Sequence, residues 1–133
     1  MVSIIINGNE QTLETILESM ENKISVLLIR ESRGAADLLS YIIDKLNELK
    51  FEEKNSFLNN NEFYNQFEGE IKRGNFNVET IKKIINLYHD TIEQNNIILI
   101  NSVLFENESL ETALLKTITN ANSKLFYKIY NII

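Results

Sequence analysis

Residues 24–39 read ISVLLIRESRGAADLL, in which the mostly apolar segment ISVLLI is followed by a polar turn with a glycine and then by a second apolar segment. Continuous apolar character without alternation is typical of a strand buried on both faces of a parallel sheet. The residues that follow the glycine have helical spacing, because apolar side chains recur at Leu38, Leu39, Ile42, Ile43, Leu46 and Leu49. A strand, a polar turn and a long amphipathic helix in this order predict the α/β class.

The same order occurs before this segment. Val2 to Ile6 is β-branched and predicts a first buried strand, and Asn7-Gly8-Asn9 has the chemistry of a turn. Residues 12–21 then predict an amphipathic helix, with apolar side chains at Leu13, Ile16, Leu17 and Met20.

The second half of the chain is less regular. Residues 51–77 predict an irregular connection that ends in a short helix, packed through Phe57, Phe63, Tyr64 and Phe67. Helical spacing runs from Val78 to Ile92, and residues 97–100 predict a third strand that can extend through 103–105. Asn107 fits the N-cap of a helix that uses Leu110, Ala113, Leu114 and Ile118, and a final helix would use Leu125, Phe126, Ile129, Tyr130 and Ile133.

These elements predict one α/β domain over residues 1–133, with a parallel sheet of about three strands flanked by helices. Both edges of such a sheet would be open to a partner chain. A net charge of -6 disfavours nucleic acid and anionic lipid as partners. The absence of cysteine excludes disulfides, thiolate metal sites and a cysteine nucleophile, and with no leader-like or membrane-spanning segment we expect a cytoplasmic location without membrane insertion.

Two loops follow predicted strands and are the candidate ligand sites, 7–9 and 31–34. Ser32 and Gly34 stand at a helix start, where backbone N–H groups and the helix dipole favour an anion, and Arg33 adds a planar cation suited to phosphate. Asp37 in the first turn could accept a sugar hydroxyl. The structural alternative is that Ser32 caps the helix, Gly34 makes a turn, Arg33 is solvated and Asp37 complements the dipole.

The chain offers little for catalysis. His89 is the single histidine and is expected at the surface, and the pairs Glu52-Glu53 and Glu68-Glu70 are typical of solvated faces. No phosphate-binding glycine fingerprint, metal-ligand cluster or nucleophile elbow occurs. The aromatic residues between 51 and 76 could stack on a base, but packing under a loop is the more common use. We therefore expect no enzymatic activity, no metal and no cofactor.

Three motifs in register resemble one family. They are IIINGN at 4–9, VLLI at 26–29 followed by ESRGAADLL at 31–39, and LETALLK at 110–116 with TNA at 119–121. Together they resemble the second half of the SLOG (LSDAT-type) domain, found in the amino-terminal melastatin homology region of TRPM channels and in prokaryotic relatives. The order and spacing agree over nearly the whole chain.

This resemblance implies a Rossmann-like fold and a ligand-sensing role, because the ADP-ribose-gated channel member binds ADP-ribose in this domain. It implies ligand contacts at Ser32, Arg33 and Gly34, and lesser ones at Gly8 and Asn9. Two departures stand out. The chain has Ser-Arg-Gly where the family usually has Ser-Gly-Arg, and the glycine-rich first half of the family's domain is missing.

The resemblance also sets the expected partners. A nucleotide-derived small molecule such as ADP-ribose would be bound, and the open sheet edge would be covered by a second copy or by the missing half of the parent domain. The chain would then be a cytosolic regulatory part of a membrane channel. The alternative is a subunit-assembly module of the same fold without a ligand, and nucleotide cleavage comes third because no base or nucleophile is placed.

Overall fold

A computed structural model describes residues 2–49, 53–54, 60–95, 98–103 and 127–132 of the chain. The described strands are β1 (Val2–Asn7), β2 (Ser25–Ile29), β3 (Ile100–Val103) and β4 (Tyr127–Ile132). They pair in the order β3-β2-β1-β4, and every pair is parallel. The predicted α/β class, a Rossmann-like parallel sheet flanked by helices, is therefore confirmed.

Five helices lie between the strands in the described part of the chain. They are α1 (Glu10–Glu21), α2 (Gly34–Glu48), α3 (Asn61–Asn65), α4 (Glu68–Arg73) and α5 (Val78–Asn95). Three of them, α1, α2 and α5, match the predicted helices. In the described part of residues 51–77, α3 and α4 are short helices and residues 53–54 are also helical, where the sequence predicts a single short helix.

The final helix predicted from the spacing of Ile129 and Tyr130 is wrong over residues 127–132. This segment is β4, which lies parallel to β1 with Ile129 opposite Ile4 and Tyr130 opposite Ile5. Its sequence, YKIYNI, is rich in β-branched and aromatic residues, so its apolar positions fit a strand as well as a helix turn. Pairing with the open edge of β1 satisfies the backbone of both strands, and this tertiary gain decides the outcome.

The third strand begins later than predicted, at Ile100 instead of Ile97, and reaches Val103. Its connection to the sheet starts one residue earlier, where the N–H of Val26 donates to the carbonyl oxygen of Leu99 at 2.7 Å. The helix predicted after Asn107 lies outside the described residues, and so do Phe51 and Phe57.

The main core lies between one face of the sheet and the helices α1, α2 and α5. Ile5 and Leu28 of the strands are fully buried there. They pack in one cluster with helix side chains that include Leu13, Ile16, Leu39, Ile42, Ile81, Ile84 and Ile85. A second buried cluster on the alternate strand positions consists of Val2, Ile4, Leu27 and Ile29. Apolar residues on both faces explain why these strands show no polar alternation.

Three of the four aromatic residues predicted to pack lie in the described part of the irregular middle, and they pack in the core as predicted. Phe63, Tyr64 and Phe67 are each more than nine-tenths buried. The ring of Phe63 makes edge-to-face contacts with both of the others, at centroid distances of 5.1 and 5.8 Å. This packing fixes α3 and α4 against the rest of the domain. None of the helices in the described ranges has both the length and the apolar content needed to cross a membrane.

Candidate functional site

The two candidate loops meet at the carboxyl ends of β1 and β2. The N–H of Ala35 donates to the carbonyl oxygen of Gly8 at 3.0 Å, and the N–H of Asn7 donates to the hydroxyl oxygen of Ser32 at 2.7 Å. Parallel neighbouring strands end at the same edge of a sheet, so the loops that follow them are brought together by topology. The two predicted loops, 7–9 and 31–34, thus lie side by side at one edge of the sheet.

Ser32 ties the two loops together. Its hydroxyl donates to the carbonyl oxygen of Ile29 at 2.7 Å while it accepts from Asn7. A hydroxyl has one proton, so Ser32 can offer a ligand only an acceptor while this bond is present. A phosphate has acceptors and few donors, so the Ser32 side chain is poorly placed to bind one. It is also not the cap of α2, because that position belongs to Arg33.

The glycines of the two loops allow the backbones to touch. Gly34 has a φ of 63°, and a Cβ there would collide with the side-chain oxygen of Asn7 and the carbonyl oxygen of Gly8. Gly8 has a φ of 115°, and a Cβ there would collide with the side chain of Thr12. Both positions therefore require glycine for the fold itself, whatever ligand the loops bind.

Asn9 is used at the start of α1. Its side-chain oxygen accepts from the N–H of Thr12 at 3.2 Å, and the Thr12 hydroxyl accepts from the N–H of Asn9 at 2.9 Å. This reciprocal pair is a capping box, which satisfies two N–H groups at a helix start. Its role in the fold accounts for Asn9 without a ligand.

Arg33 occupies the N-cap of α2 with an unusual backbone conformation. Its φ of 73° and ψ of -179° lie in a region that glycine alone adopts without strain. Its N–H donates to a carboxylate oxygen of Asp37 at 2.9 Å, and its side chain makes no cap hydrogen bond. Asp37 thus acts as the side-chain cap of its own helix, and the exposed guanidinium of Arg33 extends from the loop.

A cavity of about 590 Å³ opens beside the first turns of α2. One wall comes from α2 and the residue before it, and the other from the end of α4 and the residues after it. The residues that line it are Arg33, Gly34, Asp37, Leu38, Tyr41, Glu70, Arg73, Gly74 and Phe76. Its volume is in the range of small-molecule sites. Among the described residues, the lining includes Arg33, Gly34 and Asp37 of the sequence-predicted set but not Gly8, Asn9 or Ser32.

Two of the three arginines in the chain line this cavity. The third, Arg30, is used elsewhere: its guanidinium donates to Asp44 at 2.6 Å and to the Ser102 hydroxyl at 2.9 Å, which joins α2 to β3. These two guanidinium groups share the cavity with two carboxylates, so its lining is formally neutral but offers two cations that can bind phosphate. The carboxylates of Asp37 and Glu70 lie on the same lining and are acceptors for hydroxyl groups.

The sequence did not place six of the nine lining residues at the site, and these are Leu38, Tyr41, Glu70, Arg73, Gly74 and Phe76. The spacing of Arg33, Asp37 and Tyr41 is four residues, which places them on one face of α2, so Tyr41 could have been found from this pattern. Glu70, Arg73 and Phe76 come from the irregular middle, and no local pattern brings them to α2.

His89 is not at the surface, contrary to the expectation from sequence. It is 6% exposed, and its Nε2 lies 3.1 Å from a carboxylate oxygen of Glu93, one turn further along α5. The buried face of α5 is broad enough to include a residue next to Tyr88. Across the described ranges, no three histidine or carboxylate side chains gather as a metal site.

The comparisons with known proteins give no family assignment. A scan against protein-family models finds no match, and no curated protein has a significantly similar sequence. The interpretation of this cavity therefore depends on its own geometry and on the resemblance of the three motifs.

Proposed function

We propose that this domain is a non-catalytic module that binds a nucleotide-derived ligand, ADP-ribose or a related molecule, in the cavity beside α2. The observation that carries the proposal is the pair Arg33 and Arg73 on one cavity of about 590 Å³ at a helix amino terminus. Guanidinium groups match phosphate oxygens in charge and in geometry, and the helix dipole adds to the attraction. The resemblance to the SLOG domain supports the same class of ligand.

The cavity offers a distinct group for each part of a nucleotide. Arg33 would bind phosphate through its guanidinium, the carboxylates would accept hydrogen bonds from sugar hydroxyls, and Tyr41 or Phe76 would contact a ring. Under this proposal Gly8, Asn9 and Ser32 serve indirectly, because they hold the loop from which Arg33 extends. The resemblance implies that these three residues contact the ligand, whereas this proposal gives them a supporting role.

Titration calorimetry with ADP-ribose, ADP and AMP on the wild type and on Arg33→Ala tests this proposal. Loss of a charge-assisted contact to phosphate should weaken binding about tenfold to a hundredfold. Lys45→Ala is the matched control, since Lys45 also lies on α2 and is exposed but does not line this cavity. Absence of binding with all three nucleotides would refute the proposal.

We also propose that the module acts in the cytoplasm, as the SLOG resemblance implies. We further propose that it does not transform its ligand. The Ser32 hydroxyl belongs to the residue before Arg33. It donates its hydrogen bond to the carbonyl oxygen of Ile29, so it is poorly arranged as a nucleophile. Chromatography of ADP-ribose after long incubation with the protein should return the ligand intact. Release of AMP or ribose phosphate at a rate proportional to protein concentration would overturn this part.

A subunit-assembly module remains the second candidate. It is favoured by the sheet order, which leaves β3 and β4 as the edge strands of the described sheet, and by Ile98, which is 38% exposed just before β3. The aromatic segment gives it less support, because Phe63, Tyr64 and Phe67 are buried within the domain. Mass measurement by light scattering separates the candidates: a monomer at high concentration that still binds nucleotide contradicts assembly as the main function.

A further inference from the structure

We propose that Arg73 is a second phosphate-binding residue and that the cavity selects ligands with two linked phosphates over ligands with one. This inference rests on the proposed nucleotide-binding function and extends it to the class of ligand. No local sequence pattern placed Arg73 in the site. The arrangement of the two cavity walls supports this role.

Each wall of the cavity includes an Arg-Gly dipeptide at one end of a helix. Arg33-Gly34 begins α2 on one wall, and Arg73-Gly74 ends α4 on the other, and all four residues line the cavity. A monophosphate held by Arg33 would leave the guanidinium of Arg73 without a phosphate contact. Two linked phosphates give each guanidinium its own set of oxygens, which is the arrangement that arginine binds best.

Gly74 fixes the second wall. Its N–H donates to the carbonyl oxygen of Glu70 at 3.1 Å and closes α4, and a Cβ at Gly74 would collide with the ring of Phe76. The N–H of Phe76 in turn donates to the carbonyl oxygen of Ile71 at 2.9 Å. The segment that presents Arg73 is therefore held by hydrogen bonds and by close packing on its own helix.

Tyr41 supplies a surface for the ring of the ligand. It is 50% exposed, although a large aromatic side chain is normally covered, and it lies one turn beyond Asp37 on the cavity side of α2. Stacking of a base on an aromatic ring is favourable and tolerates different bases. We expect Tyr41 to raise the affinity for nucleosides without distinguishing strongly among them.

The cavity also contains negative charge, which limits the orientation of a ligand. The Asp37 carboxylate already accepts from the N–H of Arg33, and Glu70 lies one helical turn before Arg73 on the same wall. A phosphate placed beside Glu70 would be repelled, whereas a sugar hydroxyl there would donate to it. The two phosphates are therefore expected between the arginines, with the sugar towards Glu70.

The structural alternative is that Arg73 only complements the carboxyl end of α4, where a cation is favourable. The two readings differ in the affinity ratio of ADP to AMP. Calorimetry on the full chain should find ADP bound about tenfold or more tighter than AMP by the wild type. Arg73→Ala should reduce ADP affinity by about the same factor and AMP affinity little, which brings the ratio near one.

Lys72→Ala is the matched control, because Lys72 precedes Arg73, is exposed and pairs with Glu68 at 2.7 Å outside the cavity. It should leave the ADP to AMP ratio unchanged. Arg73→Lys keeps the charge without the planar fork, and should retain part of the preference for ADP, so it serves where Arg73→Ala does not fold. Tyr41→Leu should weaken ADP and AMP alike, by about tenfold.

The outcomes separate this inference from the proposed function. If Arg33→Ala abolishes binding while Arg73→Ala leaves the ADP to AMP ratio as in the wild type, the second phosphate site is wrong and the nucleotide site stands. An equal loss of both ligands in Arg73→Ala, with folding intact by circular dichroism, likewise overturns it. If the wild type binds neither nucleotide, both proposals are wrong.

Discussion

The hydroxyl oxygen of Ser32 lies 2.7 Å from the backbone nitrogen of Asn7, across 25 residues of chain, and accepts its hydrogen bond. The same hydroxyl donates to the carbonyl oxygen of Ile29. One small side chain therefore joins the end of β1 to the end of β2 and sets the position from which Arg33 extends. Ser32 therefore contributes to the stability of the fold and, through the position of Arg33, to the geometry of the cavity.

Ser32→Ala should destabilise the domain by about 1–3 kcal/mol, because it leaves the N–H of Asn7 and the carbonyl of Ile29 without this partner in a partly buried loop. Urea denaturation measures the change. Ser40→Ala is a suitable control, since the Ser40 hydroxyl donates only to the carbonyl of Ala36 one turn back in its own helix. An equal loss of stability in both variants would argue against the bridging role of Ser32.

Gly34→Ala should be strongly destabilising, at about 2 kcal/mol or more, because the new methyl group meets Asn7 and Gly8 and the backbone has a positive φ. Gly69→Ala is the opposite case. A Cβ at Gly69 has no neighbour within 4 Å, and the residue lies within α4, so alanine should stabilise the domain by about 0.5–1 kcal/mol. Thermal melting of the two variants should show shifts of opposite sign.

Much of the fold could be predicted from local pattern. Val26 to Ile29 is apolar throughout, and the helical spacing from Leu38 to Leu46 is unambiguous, so both elements were predicted correctly. Tyr127–Ile132 was not, since a short segment that mixes apolar residues with Lys128 and Asn131 fits either period, and its pairing with β1 is a long-range effect. The start of β3 was misplaced for the same reason, because register is decided by the neighbouring strand.

The candidate site was predicted in part. Arg33, Gly34 and Asp37 line the cavity, as a polar turn between a strand and a helix would suggest. Arg73 lies forty residues after Arg33 in the sequence, and only the packing of the irregular middle brings it to the cavity. One contact that fixes this packing is the carboxylate of Glu10, which accepts from the N–H of Asn77 at 2.7 Å. No local spacing encodes such a contact.

The stability of the domain should fall in alkaline solution. Burial first, and the nearby charge of Glu79 second, raise the pKa of Tyr64 well above its ordinary value. Burial likewise raises the pKa of Tyr88. The folded state then holds these phenol protons more tightly than the unfolded state does. Their contribution is complete below about pH 10, the pKa of an unfolded tyrosine, and is lost as the pH rises above it.

Urea titrations at several alkaline pH values check this expectation. The free energy of unfolding should decrease from about pH 10 upward, and the decrease should be shallower in Tyr64→Phe, which removes one of the two phenols. Tyr88→Phe should act in the same direction and additionally lose the contact of its hydroxyl with Asn47 at 3.3 Å. A slope that is identical in the wild type and in both variants would contradict the assignment.

Two substitutions of Arg33 can distinguish its effect on folding stability from its effect on ligand binding. Its backbone has a conformation suited to glycine, which costs an ordinary residue about 1–3 kcal/mol. Arg33→Gly should therefore raise the free energy of unfolding by up to that amount, while Arg33→Ala keeps the strained backbone and should change stability little. Both variants lack the guanidinium, so both should lose nucleotide affinity by about tenfold or more.

The comparison of these two variants isolates the role of the side chain. If Arg33→Gly is more stable than the wild type and binds ADP more weakly, the arginine side chain contributes to binding at the cost of backbone strain in the folded protein. If both variants bind ADP as the wild type does, Arg33 is not a ligand residue, whatever its effect on stability. Since the N–H of residue 33 can still donate to Asp37 in either variant, the cap of α2 is preserved and does not confuse the result.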